Sequence, residues 1–406
     1  MAEKTYTRRA LLIRFNMIDS LYWVALSGFM ALAVVYARSK GITATQVGLM
    51  IAGYRVASFA GQLFWGTLTD RSQENRRFVL LMFVLLALSF LALYFSNSWL
   101  AIFISYTAVG FLQLPLNTNM DTWIIRSFGG DSAMLPKVRG ISCIAYAAML
   151  LAYSLLIDRV GYWLMPAMLG VFGILMLLLV VDTNPRAALT GRTQHGFSVR
   201  DAARLFRIPG FGFAQLILFA LCTGVLTLWI MVTLVLERVG GTAADVSYHT
   251  FLMVLVESPG LIIAGKLAFR IRDEHRLMIA ILFALAETGL ILLAKTPLAA
   301  VLTGVLGGIS YSFFFASMRS IVQKLVPAEL ATTAHGVNDA ICLSCAGCIG
   351  SLGGGVLIDA VGVPVFLVIC LCCEAVSFLL LLLYMHTAPA RELRRAAQEK
   401  PMATQE

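Results

Sequence analysis

Leu156-Ile157-Asp158-Arg159-Val160-Gly161 closes one long apolar run, and Leu357-Ile358-Asp359-Ala360-Val361-Gly362 closes another, 201 residues later. Each run is long enough to cross a bilayer, which takes roughly 20 apolar residues. Working outward, twelve such runs fill the chain, at about 11–37, 45–67, 78–95, 99–126, 136–158, 162–182, 207–236, 244–269, 277–295, 298–324, 330–358 and 363–386. The longest polar stretch between them, Asp182 to Arg207, opens with Asn184-Pro185 and separates six runs from six. A second repeat keeps nearly the same offset. Gly66, Leu68, Arg71 and Arg77 recur 199 residues on as Gly265, Leu267, Arg270 and Arg276, with Phe269 in place of Asp70. Two nearly equal offsets imply two six-helix halves of like orientation, related by an axis along the membrane normal. The expected fold is an all-α membrane protein of twelve transmembrane helices in two pseudo-symmetric bundles. These are residues 1–182 and 207–388, joined by a cytoplasmic linker at 183–206 and followed by a cytoplasmic tail at 389–406.

Composition agrees. Hydrophobic residues are 59% of 406 and charged residues 13%, with a mean hydropathy of +0.84. A soluble domain of this length could not hide so much apolar surface. The net charge of +9 has a side. Arg38, Lys40, Arg159, Arg238 and Lys295 fall on one face and Arg55 lies mid-membrane, while the other Lys and Arg gather in the tails, the turns and the adjoining helix borders on the opposite side. This positive-inside pattern implies that both termini lie in the cytoplasm, next to anionic headgroups, and the expected location is a bacterial inner membrane. No basic face with interleaved aromatics lies outside the membrane, which argues against nucleic acid. The first run is too long for a cleavable signal and contains Asp19.

Cys342, Cys345 and Cys348 have a metal-cluster spacing, but on one helix they spread over an arc of about 120° and read as packing residues. The chain shows no nucleophile triad, paired metal ligands or phosphate-binding glycine loop, so an enzyme is not expected.

Function is then sought in the charges inside the runs, since an ionisable group there is costly and marks a pathway or relay. The acids are Asp19, Asp121, Glu257, Glu287, Asp339 and Glu374; the bases are Arg55, Arg139 and Arg319. Acids outnumber bases, and a carboxyl without a counter-charge in a low-dielectric interior favours its protonated form. That is the physical basis for expecting proton coupling. Gln113, Asn117 and Asp121 recur every four residues on run four. Asn16, Asp19, Trp23 and Ser27 share a face of run one, Arg139, Ser142, Tyr146 and Tyr153 one of run five, and His335, Asn338 and Asp339 one of run eleven. Asp121 and Arg139 lie nine residues either side of Gly130, hence about 13 Å up neighbouring helices and at one depth. Such a pair satisfies itself when empty and can open to grip a hydroxyl or carboxylate. Glu257 stands among apolar neighbours just ahead of Pro259.

The turn from Gly66 through Thr67-Leu68-Thr69-Asp70-Arg71 to Arg77 resembles the signature between the second and third helices of major facilitator transporters. The resemblance implies a cytoplasmic gate at Asp70 and Arg71. Asp121, Arg139 eighteen positions on, Cys143 and Tyr146 resemble the span four–five constellation of the lactose permease family, and Glu257 falls where that family has its span-eight carboxylate. The linker stretch Phe197-Ser198 through Leu205-Phe206-Arg207 looks similar too. Lys137-Val138-Arg139 is similar to the phenylpropionate-permease-like relatives.

The resemblance implies substrate binding by Arg139 and Asp121, with Tyr146 as the ring that stacks on the solute; Asn117, Asp19 and Trp23, on the polar faces of runs four and one, are the further candidates. Proton coupling would fall to Glu257, with Glu287 and Asp339 as further candidates. Departures are plain: Glu287 stands where that family has an arginine, Leu306 and Ile309 near its histidine and glutamate, and Leu343 near its lysine. The expected function is proton-coupled symport of a small polar organic solute, a sugar or glycoside or an organic acid, by alternating access. The alternative is a proton-driven antiporter that exports drugs or amphipathic metabolites. Implied partners are the solute, protons and the lipid bilayer, with no cofactor beyond the proton gradient, and the chain is expected to act as a monomer.

Overall fold

The structure is a computed structural model that describes residues 6–72, 74–131, 134–184, 199–268 and 270–386, the side chains of residues 70, 199–201, 328 and 332 apart. Most of the expected linker, the tail at 389–406 and the Asp70 side chain of the expected gate lie outside the described residues. Among the described residues, twelve helical stretches are long and apolar enough to span a membrane: Arg8–Ser39, Ala44–Thr69, Asn75–Phe95, Trp99–Ser127, Met134–Val160, Leu164–Asp182, Phe211–Ile230, Ala243–Leu267, Asp273–Leu293, Pro297–Leu325, Thr333–Val361 and Val363–Met385. They are referred to below as spans one to twelve. Large apolar side chains stand exposed along them, Ile144 at 70% and Phe95 at 72% for example, as lipid-facing residues do.

Local chemistry sets where spans begin and end. Thr7, Ser98 and Thr296 each accept a hydrogen bond from a backbone N–H three residues on, and Pro297 takes the first-turn position that needs no donor. Thr242 and Asp245 form a capping box at span eight. One expectation is corrected, and two runs that stand as single spans carry a local irregularity. Run seven is broken: Phe211–Ile230 stops at Met231, and a separate helix, Val232–Arg238, continues. Run ten is interrupted at Thr303, and span eleven contains a π-turn over Ala340–Cys345 that its apolar pattern does not announce. Pro115 and Pro259 sit inside unbroken helices. Near Pro259, the Ser312 hydroxyl donates to the Glu257 carbonyl at 2.9 Å.

Packing repeats with the sequence. In the first half, spans one packs on five and six, and four on two and three; in the second, seven packs on eleven and twelve, and ten on eight and nine. The halves meet reciprocally, span two on eleven and span five on eight. The turn glycines of the repeats share a left-handed backbone: Gly161 and Gly362 have φ of 87° and 86°. Between spans two and eleven the backbones touch. A Cβ at Gly48 would strike the Ser351 carbonyl, and one at Gly355 the Ala44 carbonyl. Small residues drive such contacts in membranes, where lipid removes the hydrophobic incentive to pack.

The bonds between the halves gather at the face opposite the termini. Arg38 donates to Glu237 at 2.9 and 3.0 Å, the Thr242 hydroxyl donates to Asp158 at 2.8 Å, and Asp359 accepts from the Ala44 and Thr45 amides. The Arg38–Glu237 and Asp158–Thr242 bonds border a cavity of about 510 Å³. At the face bearing the termini, the pairs Arg14–Asp182, Arg8–Asp131 and Lys324–Asp273 each stay within one half. The short helix Val199–Leu205 lies against the second half through Leu205, beside Phe211, Val322 and Val337.

Candidate functional site

The turn after span four reverses through Gly129 and Gly130, both at positive φ, and brings Asp121 and Arg139 level. Arg139 Nη2 donates to Asp121 Oδ1 at 2.5 Å. Its Nη1 stands 3.4 Å from Asp19 Oδ1, on span one. Asp19 is fully buried, whereas the Arg139 and Asp121 side chains remain 24% and 32% exposed. One cation is thus held between two carboxylates, and one edge of the trio stays accessible. The Trp23 ring lies beneath the guanidinium, 5.6 Å from its centre, a cation–π contact. Trp23 in turn meets Tyr146 edge-on at 5.8 Å. Five of the six expected substrate residues therefore form one cluster. Asn117 stands one turn along span four from Asp121, its Oδ1 buried with no hydrogen bond.

Other members of the expected polar faces are packed away. Gln113 accepts from the Tyr54 hydroxyl at 2.5 Å, and Ser27 and Ser142 bond to backbone carbonyls of their own helices. Tyr153 is wholly buried, against the backbone at Gly28. On span eleven, Asn338 is buried and His335 bonds to Gln323.

Across the seam, Glu257 of span eight lies within electrostatic reach of Cys143, Tyr146 and Tyr311. Among the described residues no cation pairs with it. Asp339 is paired: Arg319 donates to it at 2.9 Å and covers the Phe315 ring at 5.1 Å.

Glu287 occupies a different place. It is 1% exposed inside the second half, where Trp229 Nε1 donates to both its oxygens at 3.1 Å and His249 Nε2 lies 4.0 Å away. Gly307 leaves room for this carboxylate, since a Cβ there would meet it at 2.5 Å. Glu374, also buried, accepts from the Thr288 hydroxyl at 2.8 Å. Arg71 is exposed near the end of its helix. Cys342, Cys345 and Cys348 are buried, exposed and half-buried respectively, as a helix carrying them in three directions requires.

Reading by spacing missed Trp229 and His249, which look like ordinary members of apolar runs. It also missed what Asp158 and Asp359 do, although their repeat was visible. The signal was present: each Asp ends a helix, and a Thr opens the helix that it meets in the other half.

Residues 17–351 match the profile of the Major Facilitator Superfamily. No curated protein matches the chain. The structure is similar to that of the nucleoside transporter NupG, with a TM-score of 0.78 at 15% identity over 92% of this chain and 98% of that one. A bacterial homolog of the human lysosomal transporter Spinster, inward-facing and unoccupied, aligns with a TM-score of 0.63 at 14% identity, covering 96% and 97%. An auto-inhibited peptide transporter of the POT family aligns with 0.69 at 12%, covering 94% and 97%.

Proposed function

The chain belongs to the Major Facilitator Superfamily, and on that premise we propose that it is a proton-coupled symporter of a small polar organic solute. It works by alternating access in the bacterial inner membrane, with both termini in the cytoplasm. The observation that supports this reading is the Asp19–Arg139–Asp121 trio, together with Glu257 on the other half, which no cation neutralises among the described residues and which shares Cys143 as a neighbour with Arg139.

Arg139 and Asp121 are the polar ligands of the solute. Asp121 exchanges its bond to Arg139 for one to a solute hydroxyl or to water, as its partial exposure permits. Trp23 and Tyr146 supply the ring surface against which the solute's body rests. Glu257 carries the proton. Occupied by a proton it is neutral and tolerates the closed, dry state; ionised, it keeps the seam hydrated, because an unpaired charge resists removal from water. Solute and proton on the same seam therefore favour the same closing movement, which is what symport requires. The arrangement in hand, bonded at the face away from the termini, suits a state open towards the cytoplasm. Asp339 with Arg319, and Asp70 with Arg71, are assigned to closing the cytoplasmic face.

Glu257→Gln and Arg139→Ala, reconstituted in lightly buffered proteoliposomes, test the proposal. Addition of a transported solute alkalinises the medium in the wild type. Glu257→Gln abolishes the pH change while solute exchange persists, and Arg139→Ala abolishes both. Acidification on solute addition would assign the chain to antiport and overturn symport.

A further inference from the structure

Each half carries a tryptophan–tyrosine pair towards the seam. In the first, Trp23 of span one meets Tyr146 of span five edge-on at 5.8 Å. In the second, Trp229 of span seven meets Tyr311 of span ten at 5.6 Å. Tyr311 also stacks on Phe315, one turn along its helix, at 5.8 Å. Spans one and seven hold corresponding places in the two repeats, so each tryptophan comes from the first helix of its half. Tyr146 and Tyr311 both lie within electrostatic reach of Glu257, and Tyr311 also within reach of Cys143, across the seam. The two pairs thus flank one carboxylate from opposite halves.

Two observations set these rings apart from packing residues. The hydroxyls of Tyr146 and Tyr311 make no hydrogen bond among the described residues, yet neither oxygen is sealed from solvent. Tyr22 and Tyr153, by contrast, are wholly buried, and the Tyr36 and Tyr54 hydroxyls are bonded. Trp229 is also held from behind, its Nε1–H shared between both oxygens of Glu287 at 3.1 Å. An acid in a span is costly, and no Lys or Arg among the described residues pairs with this one. Its bond to a ring beside the seam gives that acid a use.

We propose that Trp229 and Tyr311 are ring contacts of the solute site, with Glu287 as the positioning residue that sets Trp229, so that the solute carries a flat unsaturated ring at one end and hydroxyls at the other. The inference rests on the transport reading and narrows its substrate class to aryl glycosides and compounds of like shape. Between two aromatic pairs, offset and edge-on contacts favour a π-face over a saturated ring. Arg139 already faces two acids, so the polar end that reaches it is a hydroxyl and not a third anion. The free tyrosine hydroxyls add donors and acceptors where the ring joins that polar end.

Phenyl β-D-glucopyranoside and cyclohexyl β-D-glucopyranoside differ only in the saturation of the ring and make a matched pair of probes. Each is titrated calorimetrically into the full-length protein in phosphatidylcholine nanodiscs. The phenyl glucoside binds roughly three- to tenfold more tightly. Trp229→Leu and Tyr311→Leu bring the ratio towards one, whereas Trp229→Phe and Tyr311→Phe, which keep a ring, retain most of it. Glu287→Leu lowers the ratio, and Glu287→Gln, whose amide oxygen still accepts the indole N–H, retains part of it. A general structural defect weakens both glucosides alike and leaves the ratio unchanged. Equal binding of the two by the wild type, or binding of neither at millimolar concentration, overturns the assignment. So does a preference that survives both leucine variants. Binding is read here without proton movement, so a negative result leaves the proton-coupling experiment standing.

Discussion

Asp359 accepts the backbone N–H of Thr45 at 2.7 Å, so the last turn of span eleven caps the first turn of span two in the other half. Its second oxygen accepts from Ala44 at 3.1 Å. Asp158, at the matching place of the first repeat, meets Thr242 at the start of span eight. The repeated hexapeptide is thus the clasp that joins the halves at one face. An anionic cap on a helix N-terminus is worth about 0.3–1 kcal/mol. Asp359→Ala should therefore speed hydrogen exchange at the Ala44 and Thr45 amides roughly two- to fivefold. Mass spectrometry of a peptide covering 42–48 reads this, and unchanged exchange would show that the carboxylate does not hold the clasp.

Gly48 makes the same closure sterically possible. Gly48→Ala puts a methyl group into the Ser351 carbonyl, whereas Gly66→Ala, on the same helix, meets open space. In Gly48→Ala the clasped face should part. Spin labels at Thr43 and Val361, in a background without native cysteines, should report a longer distance for Gly48→Ala and the wild-type distance for Gly66→Ala. Equal distances in all three would mean that backbone contact at Gly48 does not set the closure.

Arg139 neutralises two acids at once, and this predicts non-additive mutations. Arg139→Gln leaves Asp19 and Asp121 facing each other without a cation. Adding Asp121→Asn removes one of the stranded charges. The double variant should be more stable than Arg139→Gln alone by about 1–3 kcal/mol, as expected when a charged hydrogen-bonding group loses its partner. Thermal unfolding in detergent measures the difference. Additive losses would show that the three residues are not energetically linked.

Trp229 is the donor to Glu287, and nothing else described bonds that carboxylate as closely. Trp229→Phe keeps a ring beside Tyr311 but removes the N–H. Stability should fall by about 1–3 kcal/mol, and Glu287→Gln on top should cost little more. Should Trp229→Phe unfold at the wild-type temperature, the indole N–H is dispensable and Glu287 is satisfied in another way.

Much of the architecture was legible because it rests on local quantities. Run length, charge sidedness and the near-equal offsets of two repeats need no knowledge of which helix touches which. Asp121 with Arg139 was legible for a related reason: one tight turn joins their helices, so counting from Gly130 gives their depth. Asp19, the third member, lies more than a hundred residues away in the chain, and only the packing of spans one and five brings it to Arg139.

The sequence by itself determined a twelve-span protein of two like halves and the acid–arginine pair at its centre, since periodicity, hydropathy and short-range geometry are written along the chain. Tertiary structure alone decided which acids share a cation, and that Glu287 lies inside one half under Trp229. It also decided where run seven breaks and where span eleven takes its π-turn. The physical reason is that a charge in a membrane is settled by the nearest opposite charge or donor, and neighbouring helices, not neighbouring residues, supply it.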